Sequence, residues 1–233
     1  MIAYSVLSVA VLAAYALGCI FIKSGKENKT VVNVVFAGLT FLLYVFGVIR
    51  MYIVVGPYDW NFIESLPTTN VSPFTFCLAL VSLILPKKIR AYVFTLISLL
   101  SLAMAAAGVI ICLSYVFRDY SFHLTIAGDI IAHFSLSLFG IYLLRSGQIK
   151  TSVKDLIISG GIIVCVALVM LILNLIFKTS FFGLSLYGDH NIYHFVLTKS
   201  GVLSALVYFS GLIGLLVAGR FYLLLFVKKE KSK

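Results

Sequence analysis

The strongest constraint on this chain is a recurrence of long apolar stretches separated by short charged ones: Ile2–Ile22, Val31–Val55, Val71–Leu85, Ala91–Phe117, Phe122–Leu144, Leu156–Phe177 and Gly201–Val227. Crossing the hydrocarbon of a bilayer takes about 20 helical residues, and a lipid-exposed backbone must satisfy its own hydrogen bonds, so helices are the expected form. The third stretch is short, and Pro67 to Asn70 continue it at interfacial depth. The expectation is an all-α, polytopic bundle of about seven transmembrane helices, with residues 1–233 as one transmembrane domain. A chain that is 62% hydrophobic and 11% charged, with mean hydropathy +1.12, is excluded from the soluble class.

The basic residues fall into alternate loops. Lys23, Lys26 and Lys29 follow the first stretch, Lys87, Lys88 and Arg90 the third, and Arg145, Lys150 and Lys154 the fifth; Lys228, Lys229, Lys231 and Lys233 close the chain. Asp59, Glu64, Asp119 and Asp189 lie in the intervening loops. The positive-inside rule then places the N-terminus outside and the C-terminus in the cytoplasm, as expected of a multi-pass protein of the cell membrane. The net charge of +10 is accounted for by this topology signal and by anionic headgroups, so it calls for no nucleic acid. The expected partners are membrane lipids.

Cys19, Cys77, Cys112 and Cys165 fall in different stretches and read as small buried hydrophobes rather than as a disulfide framework. Ser210, Gly214 and Ala218 recur every four residues, as do Ser101 and Ala105, a spacing that lets membrane helices approach closely. The outer segments Gly56–Asn70 and Thr179–Ser200 are longer than the cytoplasmic loops, which points to function on the outer face.

Two ionisable groups interrupt the fifth stretch. Asp129 and His133 are four residues apart, hence on one face of a helix and able to touch. An ionisable side chain at the centre of a membrane helix costs roughly 2.5 kcal/mol or more and marks a functional position by default. Counting about 1.5 Å per residue inward from the outer end, Arg50, Cys77, Asp129 and Asn174 share the outer leaflet, with His133 near the midplane and Tyr208 at a similar level. This layer is expected to face a shared interior, with Arg50 as a natural partner for Asp129 and with Arg50, Asn174 and Tyr208 contacting substrate. The chemistry it suits is nucleophilic catalysis: Asp129 orients His133, which activates Thr68, Thr69 or Cys77. Helix packing through the same polar groups is the plainer alternative.

A second cluster, Asp189, His190 and His194, with His123 from the fifth stretch, contains zinc-type ligands, while capping or anchoring of the helix at the interface is the plainer reading. Nothing in the chain calls for a cofactor. A retinal-binding reading fails because Lys199 precedes the last stretch and no lysine lies inside it.

Ile63-Glu64-Ser65-Leu66-Pro67, His133, Asn174, Phe182-Gly183-Leu184 and Tyr187 resemble the YwaF-type bacterial integral membrane proteins. Those are similar to the seven-helix transmembrane acyltransferases that remodel ether phospholipids. The resemblance implies a lipid acyltransferase or acyl hydrolase in which a Cys after the Leu-Pro and a His in the fifth helix are the catalytic pair, with Tyr187 beside the substrate. His133 matches that His. The Cys position departs from the pattern: the stretch reads Thr68-Thr69-Asn70-Val71, and Cys77 lies further along. Either a threonine or Cys77 then takes the nucleophile's place, or the fold is kept without the reaction. Two other classes use the same layer differently: a binding or transport protein in which Asp129 and His133 titrate, and a structural or regulatory bundle without ligand.

Overall fold

The computed structural model describes residues 2–22, 28–55, 71–117, 124–177 and 201–226; within them the side chains of 2–8, 50–52, 54–55, 114–117, 124–127 and 201–205 are not described. The described residues form seven helices: α1 (Ile2–Phe21), α2 (Lys29–Val55), α3 (Val71–Ser82), α4 (Lys87–Phe117), α5 (Leu124–Arg145), α6 (Val153–Phe177) and α7 (Gly201–Leu224). Four carry a segment long and apolar enough to cross a membrane: Lys29–Ile49, Lys87–Leu113, Val153–Phe177 and Leu206–Leu224.

Helix ends are set by local chemistry as much as by hydropathy. Asn28 Oδ1 accepts from the amides of Thr30 and Val31 at 3.1 and 3.4 Å, capping α2. Ser152 accepts from the Asp155 amide at 3.1 Å and donates to its carboxylate at 2.6 Å, starting α6 before the apolar run begins. Gly147, at φ +66°, closes α5 in a Schellman arrangement, with Gln148 N–H on Leu143 O and Gly147 N–H on Leu144 O, both at 3.0 Å. Helix α3 stops at Ser82, short of the expected Leu85: Leu83, Ile84 and Leu85 tighten into turns bonded to Leu80, Val81 and Ser82, and Pro86 disfavours helical geometry at Leu85. The 12 residues of α3 rise about 18 Å, well short of a bilayer core of about 30 Å.

Helix α4 is the central post, packing against α1, α3, α5, α6 and α7, while α2 lies along α5 and α3. The α4–α5 seam is close enough for backbones to meet. Ser98 donates to Gly140 O at 2.9 Å, and a Cβ at Gly140 would sit 2.7 Å from Ser101 Cβ and 3.1 Å from Ser98 Cα. Ser101 and Ala105 are buried there as their spacing suggests. The α7 stripe is a correction. Ser210 and Gly214 are exposed, and a Cβ at Gly214 would meet nothing within 4 Å. The face of α7 that packs carries Tyr208, Leu212, Gly219 and Leu223, and a Cβ at Gly219 would fall 1.9 Å from Leu99 O. A four-residue spacing finds a face of small residues but not which way that face points. Of the cysteines, only Cys112 is fully buried, Cys165 is exposed, and all four are free.

Buried hydroxyls are mostly absorbed by their own helices. Thr40 donates to Phe36 O, Thr75 to Val71 O, Thr95 to Ala91 O and Ser101 to Ser98 O, at 2.6–3.0 Å. The basic loops do more than carry charge. Arg145 of α5 donates to Ile22 O at the end of α1 and lies 5.4 Å from the Phe226 ring centroid. Lys29 of α2 donates to Ser146 O just past α5 at 2.6 Å, and Arg90 of α4 donates to Leu83 O and Leu85 O beyond α3 at 2.9 and 2.7 Å. Carbonyls at helix C-termini lack intrahelical donors and carry partial negative charge, so each cation satisfies and neutralises an end at once. Asn33 and Gln148 bond through their side-chain amides at 2.8 Å at this same end of the bundle. Thr95 ties down the Lys150 amide at 2.9 Å. Hydrogen bonding to Tyr92 first, and then the Asp155 charge, hold the Lys150 ammonium above the ordinary lysine range.

Candidate functional site

The imidazole of His133 sits on α5 with only 5% of the residue exposed. Its Nδ1 lies 2.8 Å from Asp129 O and 3.2 Å from Asp129 Oδ1. A carbonyl oxygen can only accept, so Nδ1 carries the proton and the neutral ring presents Nε2 as its basic nitrogen. One helical turn therefore supplies both halves of the restraint, the backbone and the carboxylate of a single residue. The ring is held from a third direction by Phe76 of α3, edge-on with centroids 5.3 Å apart. Phe76 is 2% exposed and leans in turn on Tyr44 of α2, with ring centroids at 6.1 Å. Three helices thus fix one histidine.

Asp129 departs from the expectation that the polar layer faces a shared interior. Its side chain is 51% exposed, turned along the surface of the described helices, and it meets His133. Four residues separate the two along a helix that turns 100° per residue, so one can be buried while the other sits at the edge of the same face. Among the described residues, the group within hydrogen-bond reach of the Asp129 carboxylate is the Nδ1–H of His133. The side chain of Arg50 lies outside the described residues, so that proposed pairing does too.

Cys77 follows Phe76 on α3, is half-buried and is not in a disulfide. Asn174 of α6 is fully buried and Tyr208 of α7 is 7% exposed. Tyr208 belongs to an apolar cluster with Leu96, Leu100, Ile163, Ala167 and Leu212, against which Phe74 and Leu78 of α3 pack. Phe74 and Leu78 each lie two residues from Phe76, about 160° from it around α3, and Leu78 also packs against the cluster that holds Phe76. Phe76, which touches the histidine, and Tyr208 thus belong to separate clusters joined through Val71 and Leu78 of α3, where the sequence suggested one layer. Thr68, Thr69 and Tyr187 lie outside the described residues, as do His123, Asp189, His190 and His194; among the described residues no group of three or more His, Cys, Asp or Glu could hold a metal ion.

A short embedded helix, a membrane histidine on α5 and seven helices in this order also admit comparison with known families. The profile described as the TMEM164 family matches residues 1–227. The chain belongs to the TMEM164 family. The match runs through every helix of the fold, so this is a multi-pass helical membrane protein of that family along essentially its whole length. No curated protein and no solved structure matches the chain.

Sequence reasoning missed Phe76 and Tyr44. Nothing local marks them, because an aromatic residue in an apolar helix looks the same whether it touches lipid or an imidazole. The one available signal was the depth of Phe76, which the shortness of α3 brings level with His133.

Proposed function

We propose that this TMEM164-family protein is a lipid acyltransferase or acyl hydrolase of the cell membrane, with His133 as general base in the outer half of the bundle. The observation that carries the reading is the double contact of His133 Nδ1 with Asp129, because it leaves Nε2 as the free basic nitrogen in a site of low dielectric. The resemblance to the acyl-transferring membrane proteins supports it, as does membership of a membrane family whose profile covers the whole bundle. In the proposed reaction Nε2 takes the proton of a nucleophilic hydroxyl or thiol as that group attacks the acyl carbonyl. The ester C–O bond then breaks and the same proton goes to the departing lysolipid oxygen. A second hydroxyl, from lipid or water, gives up its proton to Nε2 as it attacks the acyl-enzyme; the bond from the acyl carbon to the enzyme's oxygen or sulfur then breaks, and that proton returns to the nucleophile. Thr68, Thr69 and Cys77 are the nucleophile candidates, and Asp129 is a positioning residue that stabilises the imidazolium as it forms. The proposed orientation, N-terminus outside, opens this site to the outer leaflet.

The deciding experiment measures acyl transfer and release from radiolabelled phospholipid in proteoliposomes. His133→Ala should abolish turnover while helix content and thermal stability stay near wild type. A trapped acyl adduct should map to one of the three nucleophile candidates. Turnover that survives His133→Ala would end the reading.

A further inference from the structure

The residue after His133 is gripped by two other helices. Phe134 is buried, and on α4 Gly108 leaves the space its ring fills: a Cβ there would lie 2.6 Å from Phe134 Cε1, 2.8 Å from Cδ1 and 3.0 Å from Cζ. On α1, Tyr15 stacks on the same ring, with centroids 4.4 Å and planes 19° apart. Tyr15 is itself anchored. Its hydroxyl lies 2.7 Å from Oγ of the buried Ser137, one turn beyond His133 on α5, and 2.9 Å from the Tyr222 hydroxyl of α7. Val11 and Leu12 of α1 pack against the cluster that Phe134 forms with Cys112 and Ile130.

We propose that Gly108 and Tyr15 are positioning residues for His133: by holding the Phe134 ring against α4 and α1, they set the rotation of α5 at which the imidazole meets Phe76 of α3. A helix as evenly apolar as α5 has no polar face to fix that rotation for it. The Asp129 contacts cannot fix it either. They lie within one turn of α5 and travel with the helix, so they set the tautomer and tilt of the imidazole but not its distance from α3. Ordinary carbon contacts begin at 3.4 Å, so an alanine at position 108 requires the Phe134 ring to move by about 0.8 Å. The stacked and anchored Tyr15 ring obstructs a simple side-chain retreat, and α5 shifts instead, carrying His133 with it. Misplacing a reacting group by about 1 Å can cost roughly a hundredfold in rate. The catalytic value of the placement rests on the function proposed above; the placement does not.

The test reads the imidazole directly, by nuclear magnetic resonance of the full chain carrying isotope-labelled histidine in phosphatidylcholine nanodiscs. His133→Gln assigns the His133 signals, and Phe76→Leu gives their position without the Phe76 ring current. Gly108→Ala should move the His133 ring protons at least half of the way to that reference. Tyr15→Leu, which removes the support without adding a clash, should move them in the same direction and keeps the test open if Gly108→Ala does not fold. In a Phe134→Ala background, where the colliding ring is gone, Gly108→Ala should move them no further. His133 signals unchanged in folded Gly108→Ala or Tyr15→Leu, or a Gly108→Ala shift that persists in full without the Phe134 ring, would overturn the placement. In the phospholipid turnover assay, Gly108→Ala should lower kcat by about tenfold or more with KM little changed. A displaced His133 with unaltered kcat would refute the general-base reading and leave the placement standing, so the two fail separately.

Discussion

Replacing Gly219 by alanine is the sharpest test of how this bundle is assembled. An added Cβ would lie 1.9 Å from Leu99 O, 2.9 Å from the Leu99 carbonyl carbon and 3.4 Å from its Cα. A carbon settles no closer than about 3.3 Å to a carbonyl oxygen, which leaves a shortfall of about 1.4 Å that a rotamer change cannot absorb, because the obstacle is main chain. Helix α7 must therefore separate from α4, loosening the seam that holds Tyr208, Leu212 and Leu223. The cost should reach the upper end of overpacking effects, about 3 kcal/mol, or roughly 6–12 °C in melting temperature for a chain of this size. The matched control is Gly214→Ala, five residues earlier on the exposed side, where a Cβ meets nothing within 4 Å. That change should be neutral, or stabilising by up to about 1 kcal/mol through helix propensity. Thermal unfolding of the two variants in the same detergent, followed by circular dichroism, makes the comparison. If Gly219→Ala melts with Gly214→Ala, the close approach of α7 to α4 is wrong.

Arg145→Leu should destabilise by about 1–3 kcal/mol, because it strips the donor from Ile22 O and the cation from the Phe226 ring, and protease accessibility should rise first at the end of α1. A double-mutant cycle on Asn33→Leu and Gln148→Leu should return a coupling of about 0.5–1.5 kcal/mol in melting experiments, and additive losses would deny the amide pair. With the proposed orientation, cysteine reporters in Ser24–Thr30 or Ser146–Asp155 are shielded from an impermeant reagent on intact cells, while those in Gly56–Asn70 react; labelling of Ser146–Asp155 from outside would reverse it.

Helix placement was largely legible because the requirement to bury about 20 residues of backbone in lipid is written directly into hydropathy. Where boundaries moved, local chemistry was responsible: Ser152 starts α6 three residues before Leu156, and Pro86 both ends α3 early and lets α4 begin at Lys87 ahead of its apolar run. The rotational phase of each helix was not legible, since a helix apolar on every side shows no preferred face. Hence Ser210 and Gly214 were read inward and Gly219 was passed over. The same blindness separates Asp129, whose link to His133 follows from spacing alone, from Phe76, whose contact depends on how α3 is turned.

The cations that cap helix ends also impose an order of assembly. Lys29 is already made when α5 emerges, so the last turn of α5 finds its donor at once. Helix α1 has the opposite history. Its terminal carbonyl at Ile22 is answered by Arg145, 123 residues later, which at ribosomal speeds of about 5–20 residues per second means a delay of roughly 6–25 s. During that interval the end of α1 is answered by water, headgroups or the insertion machinery. It is locked only once α5 is complete, and a nascent chain stalled before Arg145 presents quality control with an unclosed end.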